Sequence, residues 1–264
     1  MNAGLRLVLC GVAHAYGDLN VLEDIDLVAE PGEVTVLVGP SGCGKSTLLG
    51  IMGGLLAPTA GSVACEGDVA PDCLNALTYM FQDFALLPWR TVAGNVALVV
   101  EDRLPRAERD ARVAEVLALT GLSDFAKAWP RQLSGGMRQR VGIARALAVR
   151  PACLLMDEPL SALDAQTREL LLDEFVALIE RAGTTTVYVT HNLGEAVRLG
   201  HQIVVLSRRP GRVRALQRID RPLAGRTVSD PDLQAVEAEL WRLIRDDAAA
   251  AEREIEPSAN RQQM

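Results

Sequence analysis

The sequence has no C-x-x-C pair. Its five cysteines are odd in number and scattered at positions 10, 43, 65, 73 and 153, and its three histidines lie far apart at 14, 191 and 201. That spacing argues against a disulfide framework and a structural zinc site and predicts reduced, mostly buried thiols. A basic surplus is also missing. With 27 Lys+Arg against 34 Asp+Glu the net charge is −7, which excludes a generically basic nucleic-acid binder. No run approaches the ~18 consecutive apolar residues of a membrane span. Internal repeats and low-complexity linkers are absent as well. The first twelve residues carry one arginine and no apolar stretch ahead of a cleavage signal, which predicts a mature, cytoplasmic chain.

What remains is a chain of 264 residues, 49% apolar, long enough for a large buried core. Leu5, Leu7 and Leu9 alternate, as do Ile25 and Leu27, so the first ~35 residues read as β-strands ending at a Pro31-Gly32 turn. Val34 to Val38 is a buried strand, followed by a glycine-rich turn and a helix beginning at Lys45. Ser62 to Cys65 and Leu77 to Phe81 are further strands. Residues 91–150 change to helical periodicity, with Arg106 to Leu119 and Gly136 to Val149 each presenting one apolar face. Strands then return at 152–156, 187–190 and 203–206, with a helix from Thr167 to Arg181 between the first two. This alternation predicts a parallel α/β core with the helical block inserted. A last helix spans Asp230 to Glu254, and the end from Pro257 is polar and frayed.

Gly39-Pro40-Ser41-Gly42-Cys43-Gly44-Lys45-Ser46 satisfies G-x-x-x-x-G-K-[ST] in full and sits between a strand and a helix. Glycines let successive backbone N–H groups turn inward to phosphate oxygens, and the helix adds its positive end. Lys45 supplies charge to the β/γ-phosphates; the Ser46 hydroxyl is placed to ligate Mg²⁺. Leu154-Leu155-Met156-Asp157-Glu158 delivers two carboxylates to the carboxyl edge of the sheet. Asp157 suits the Mg²⁺ side and Glu158 the attacking water. These motifs define a P-loop nucleotide hydrolase of RecA-like core, a class with many unrelated functions.

Leu133-Ser134-Gly135-Gly136-Met137-Arg138-Gln139-Arg140 opens the second strong helix, with Ser134 as N-cap. The run LSGGMRQRVGIARAL resembles the signature of ATP-binding cassette (ABC) transporter ATPases, and the likeness extends over about residues 5 to 225. It implies that Gln82 is the Q-loop glutamine, near Mg²⁺ or water. Ser161 to Asp164 would be the D-loop, His191 the switch histidine facing the γ-phosphate, and Tyr16 the aromatic against adenine. Thr47 would extend the phosphate loop. Ser134, Gly135 and Gly136 would contact ATP held by a second subunit in a head-to-tail pair. The cassette would comprise residues 1–225, with a core and β-subdomain at 1–90 and 151–225 and a helical subdomain at about 91–150; a C-terminal helix and tail follow at 226–264.

Leu86-Leu87-Pro88-Trp89 and the Arg209-Pro210-Gly211-Arg212 turn are similar to the bacterial importer branch for nitrate, sulfonate and taurine. That branch implies a separate membrane permease, touched through Leu87 and Trp89, a periplasmic binding protein that sets specificity, and a place on the cytoplasmic face of the inner membrane. Leu87 and Trp89 packing on their own helical block is the alternative use of those side chains. A soluble ABC ATPase without a transport partner is the alternative function. Six arginines from Arg208 to Arg221 read as a solvated turn and edge strand rather than a nucleic-acid patch. The sequence departs from the family's common pattern at Met137, Asn192, Gly200 and His201, none of which removes a catalytic group.

Overall fold

A computed structural model of the chain describes residues 4–83, 85–161, 163–227 and 229–259. It has two sheets. The first is antiparallel, with order β2-β1-β4, built from β1 (Arg6–Tyr16), β2 (Leu19–Ala29) and β4 (Ala60–Glu66). Leu7, Leu9 and Val12 on β1 and Ile25, Leu27 and Ala29 on β2 are buried, so the alternation in the sequence marks the inward face. The second sheet has six strands in the order β5-β6-β7-β3-β8-β9, from β5 (Leu77–Met80), β6 (Cys153–Asp157), β7 (Thr185–Val189), β3 (Val34–Val38), β8 (Gln202–Leu206) and β9 (Val213–Arg218). All pairings are parallel except the last, where β9 returns antiparallel to β8.

β3, β7 and β8 are buried at every residue. That requires cover on both faces, and it explains why these strands read as continuous apolar runs rather than alternating ones. Two apolar clusters supply the cover. One, containing Val34, Val36, Leu154 and Met156, takes in the helical block and the C-terminal helix; the other, containing Leu37, Cys153 and Leu155, packs under α1 (Lys45–Met52) and the antiparallel sheet.

The helical block comprises α2 (Val92–Ala97), α3 (Arg106–Leu119), two short 3₁₀ turns and α4 (Gly135–Ala148). Thr91 caps α2 by accepting from Gly94 N at 3.1 Å, and Ser134 caps α4 by accepting from Met137 N at 3.2 Å. Val113, Val116 and Leu117 of α3 join the same core as the sheet, so the insertion is anchored rather than suspended. α5 (Ala165–Ala182) ends at Gly183, whose φ of 58° supplies the left-handed stop. α6 (Leu193–Leu199) and α7 (Pro231–Ala259) complete the chain. α7 begins with proline in its first turn, and Asp230 accepts from Thr227 N and Thr227 Oγ1, each at 2.9 Å. The helix runs past Pro257 to Ala259, beyond the expected end; the expected polar terminus from 260 lies outside the described residues.

The C-terminal segment is joined to the core rather than appended to it. Arg226 is 2% exposed and donates to the carbonyls of Val197 at 3.0 Å, Gly200 at 2.6 Å, Ile219 at 3.2 Å, Pro222 at 3.2 Å and Arg221. Val197 and Gly200 lie at the C-terminal end of α6, so one guanidinium satisfies helix carbonyls that would otherwise be orphaned.

Candidate nucleotide site

Four strands of the six-stranded sheet deliver motif residues to one edge. β3 leads into the phosphate loop, β5 into Gln82, β6 into Asp157 and Glu158, and β7 into His191. In open parallel α/β sheets the carboxyl edge is where ligands bind.

The loop 39–46 is shaped by close approach. Gly44 has φ 100°, and a Cβ there would lie 2.7 Å from Leu22 Cδ2 and 3.0 Å from Val21 Cγ1. β2 therefore buttresses the loop, and only glycine fits. A second support comes from the β8–β9 turn. A Cβ on Gly211 would fall 2.2 Å from the Cys43 carbonyl oxygen, while Gly211 N donates to Val21 O at 2.8 Å and Glu23 N donates to Gly211 O at 3.0 Å. The Arg209-Pro210-Gly211-Arg212 turn thus clamps the back of the phosphate loop. Gly39 and Pro40 are buried, Ser41 and Gly42 exposed, and Thr47 half-buried. Lys45 is buried, with Nζ donating to Gly39 O at 2.8 Å and Pro40 O at 3.1 Å. Its ammonium lies at the mouth of the loop, where a phosphate would compete for the same donors. The neighbouring Cys43 thiol is pushed above its usual value by burial.

Ser46 Oγ donates to Asp157 Oδ1 at 3.1 Å, and Tyr79 OH donates to Asp157 Oδ2 at 3.3 Å. Burial holds the Asp157 carboxyl above the ordinary carboxylate range, outweighing both hydrogen bonds. Hydroxyl and carboxylate oxygens this close are a donor set suited to a hard divalent cation such as Mg²⁺. Glu158 follows in a left-handed conformation, φ 45°, with its N–H donating to Val189 O at 3.1 Å. A non-glycine residue held there stores backbone strain, fixed by the neighbouring strand. Its carboxylate Oε2 lies 2.9 Å from His191 Nδ1.

Gln82 Nε2 donates to Ser161 Oγ at 3.1 Å, and that hydroxyl donates to Glu158 O at 2.9 Å. The structure therefore brings together the phosphate loop, Asp157, Glu158, Gln82, Ser161 and His191. Tyr16 stands 50% exposed at the end of β1, its ring edge-on to His14 with centroids 4.6 Å apart. Its hairpin partner β2 is the strand that touches Gly44. Ser134 is exposed at the N-terminus of α4, Gly135 is half-buried and Gly136 buried. A Cβ on Gly135 would lie 3.5 Å from Leu163 Cδ2, beside the Ser161–Asp164 segment.

Trp89 is 69% exposed, whereas Leu87 is half-buried and its backbone is stitched down. The stitch is Asn95, fully buried on α2, which accepts from Leu87 N at 2.7 Å and donates to the carbonyls of Leu87, Arg90 and Thr91 at 3.0–3.1 Å. Asn95 and Tyr79 went unnoticed in the sequence. Asn95 has only a polar residue on an apolar helix face as its signal, and Tyr79 depends on strand order, which is not local. Asn192, a departure from the family pattern, caps α6 by accepting from Glu195 N at 3.0 Å. His14 Nδ1 meets Ala57 O at 3.1 Å, and His201 Nδ1 accepts from Val34 N at 3.0 Å, both structural uses. Four of the six arginines in the basic stretch face acids: Arg212 with Glu23, Arg214 with Asp247, Arg218 with Glu33 and Arg221 with Asp230. Among the described residues no group of three or more His, Cys, Asp or Glu could hold a metal ion, and no helix is long and apolar enough to cross a membrane.

A doubly covered parallel sheet with a phosphate loop and two carboxylates at its carboxyl edge defines a P-loop nucleotide hydrolase. The chain belongs to the ABC transporter family, whose profile matches residues 22–161, and it is an ABC-type ATPase. It is 44% identical over 252 residues to the aliphatic sulfonates import ATP-binding protein SsuB 1 of Xanthomonas axonopodis pv. citri, covering 95% of this chain and 96% of that protein. It is 41% identical over 236 residues to the taurine import ATP-binding protein TauB of Pseudomonas putida, covering 89% of each. Among solved structures it is similar to the dimeric post-hydrolysis state of the ATP-binding cassette MJ0796 bound to ADP and Pi. There the TM-score is 0.67 and the identity 34%, over 81% of this chain and 99% of that one.

Proposed function

We propose that this chain is the energy-coupling subunit of a bacterial importer for a small oxyanion-bearing substrate of the nitrate, sulfonate or taurine type. The observation that carries the reading is the convergence of Lys45, Ser46, Gln82, Asp157, Glu158 and His191 on one sheet edge, together with a signature helix whose N-terminus is capped by an exposed Ser134. Such a helix end is suited to the phosphates of a nucleotide held by a second copy. Two chains in head-to-tail symmetry would make two composite sites.

In that arrangement the backbone N–H groups of the loop from Ser41 to Thr47 surround the phosphates, with Gly39 and Pro40 shaping its entry, and Lys45 exchanges its carbonyl partners for phosphate oxygens. Ser46, Asp157 and Gln82 would hold Mg²⁺, which supplies charge neutralisation at the β- and γ-oxygens when bound. Glu158 orients the attacking water and takes its proton. His191, bonded to Glu158, fixes that carboxylate and faces the γ-phosphate. Tyr16 stacks on the adenine. The helical block and core form the ATPase cassette within residues 1–225. Trp89, projecting from a loop made rigid by Asn95, is the better anchor for a cytoplasmic segment of a permease, with Leu87 beneath it. The chain then sits peripherally on the cytoplasmic face of the membrane, and a periplasmic binding protein selects the cargo.

Two measurements test this. Mg-ATP titrated into the purified chain should bind, and Lys45→Ala should weaken binding by about 10- to 100-fold, the worth of one charge-assisted phosphate contact; equal affinity would contradict the loop assignment. Removing the chain from its cell of origin should abolish uptake of labelled taurine, an alkanesulfonate or nitrate. Unchanged uptake of all three would contradict the importer branch.

A further inference from the structure

The His191 side chain is 58% exposed, and its Nδ1 meets the Glu158 carboxylate. Its aim is set by the backbone on either side: Thr190 is bonded to a buried carboxylate, that of Glu195, and Asn192 is bonded to Thr190 and to the Glu195 main chain. Glu195 is 5% exposed. Its Oε2 accepts from Thr190 Oγ1 at 2.7 Å and from Tyr188 OH at 3.0 Å. Thr190 Oγ1 in turn accepts from Asn192 N at 3.0 Å, and Asn192 Oδ1 accepts from Glu195 N at 3.0 Å. His191 thus lies in a loop closed at both ends on Glu195.

The other oxygen of Glu195 faces α5. Arg168 Nε lies 3.7 Å from Glu195 Oε1, and Arg168 Nη2 donates to Leu163 O at 2.9 Å. Leu163 belongs to the Ser161–Asp164 segment, whose Ser161 bonds both Gln82 and the Glu158 carbonyl. The path closes on itself: Glu158 to His191 by the imidazole, His191 to Glu195 by its flanking backbone, Glu195 to Leu163 by Arg168, and Ser161 back to Glu158. Burying a carboxylate is costly unless it is paired; here two hydroxyls bond one oxygen, and the Arg168 guanidinium faces the other at ion-pair distance.

We infer that Glu195 is the positioning residue for His191, and that Arg168 ties this positioning to the Ser161–Asp164 segment. Glu195 touches no nucleotide; it acts by holding the Thr190–Asn192 backbone so that the imidazole meets Glu158. The inference rests on the site reading given above and extends it.

The chain's three histidines make a direct test possible. In full-length protein labelled with ¹⁵N-histidine, Thr190→Val and Glu195→Gln should move the ring-nitrogen resonances of His191 while leaving those of His14 and His201 in place, and Thr190→Ser should restore them. Hydrolysis should follow, with kcat about tenfold lower or more in Thr190→Val and Glu195→Gln, and ATP Kd within about twofold of wild type. His191 resonances unmoved in a folded Thr190→Val chain would overturn the inference. So would displacement of all three histidines together with a lowered Tm, the mark of a general structural role. Wild-type chain that binds no ATP would instead count against the nucleotide-site reading, and the ring resonances would still decide this one.

Discussion

His191 Nδ1 lies 2.9 Å from Glu158 Oε2, joining the ends of two adjacent parallel strands across the sheet edge. The register pairs Asp157 with Val189, so Glu158, one residue past β6, and His191, two residues past β7, come within reach of each other. The contact gives the carboxylate a fixed direction while leaving its second oxygen for a water.

That geometry makes Glu158→Gln the most informative change at the site. The amide keeps the shape but not the basicity. Hydrolysis should fall by about 100-fold or more, with ATP still bound, and the variant should accumulate as an ATP-dependent dimer. Turnover by stopped assay and size by light scattering check it. Normal turnover would place water activation on another group.

Asp157 offers a prediction in pH. Because burial raises its pKa, the folded chain binds this proton more tightly than the unfolded chain. Its contribution to stability is then most favourable below the ordinary carboxylate pKa of about 4 and declines as pH rises through that value to the raised one. Asp157→Asn should therefore leave the nucleotide-free chain at least as stable at pH 7, flatten that part of the pH profile, and abolish Mg²⁺-dependent hydrolysis. A clear drop in Tm at pH 7 in chelator would show that the Ser46 and Tyr79 hydrogen bonds outweigh the burial.

Gly211 is distant in sequence from the phosphate loop yet touches its backbone. Gly211→Ala should displace Cys43 and weaken ATP binding, with a stability loss of about 1–3 kcal/mol from the forced overlap. Calorimetric ATP titration and urea unfolding separate the two effects. Wild-type affinity would mean that the turn and loop move together without cost.

Arg226→Met should be among the most damaging single changes outside the site. It removes a buried donor from carbonyls at the end of α6 and leaves them unsatisfied, a loss of about 2–4 kcal/mol. Burial already lowers the pKa of this guanidinium to about 10. A stability loss of under about 0.5 kcal/mol in urea unfolding would show that water replaces it freely.

Much of this architecture is legible in the chain because its signals are local. The phosphate loop is a contiguous spacing, the buried strands are short apolar runs, and Ser134 precedes an amphipathic helix. The residues that escaped notice are held by contacts between distant segments. Tyr79 reaches Asp157 because β5 lies beside β6. Gly211 matters because a hairpin folds back on the loop. Arg226 and Glu195 are charged residues whose burial no local pattern announces. The Arg208–Arg221 stretch shows the reverse case, a visible charge run whose acidic partners come from elsewhere in the chain.

The central claim, a nucleotide site completed by a second copy, is tested most directly by Mg²⁺-dependent ATP hydrolysis measured across protein concentration. Specific activity that rises with concentration and levels off as dimer forms is the expected result, and Ser134→Arg should remove it without lowering ATP affinity. Activity per chain that is constant down to concentrations where sizing shows only monomer would contradict the shared site.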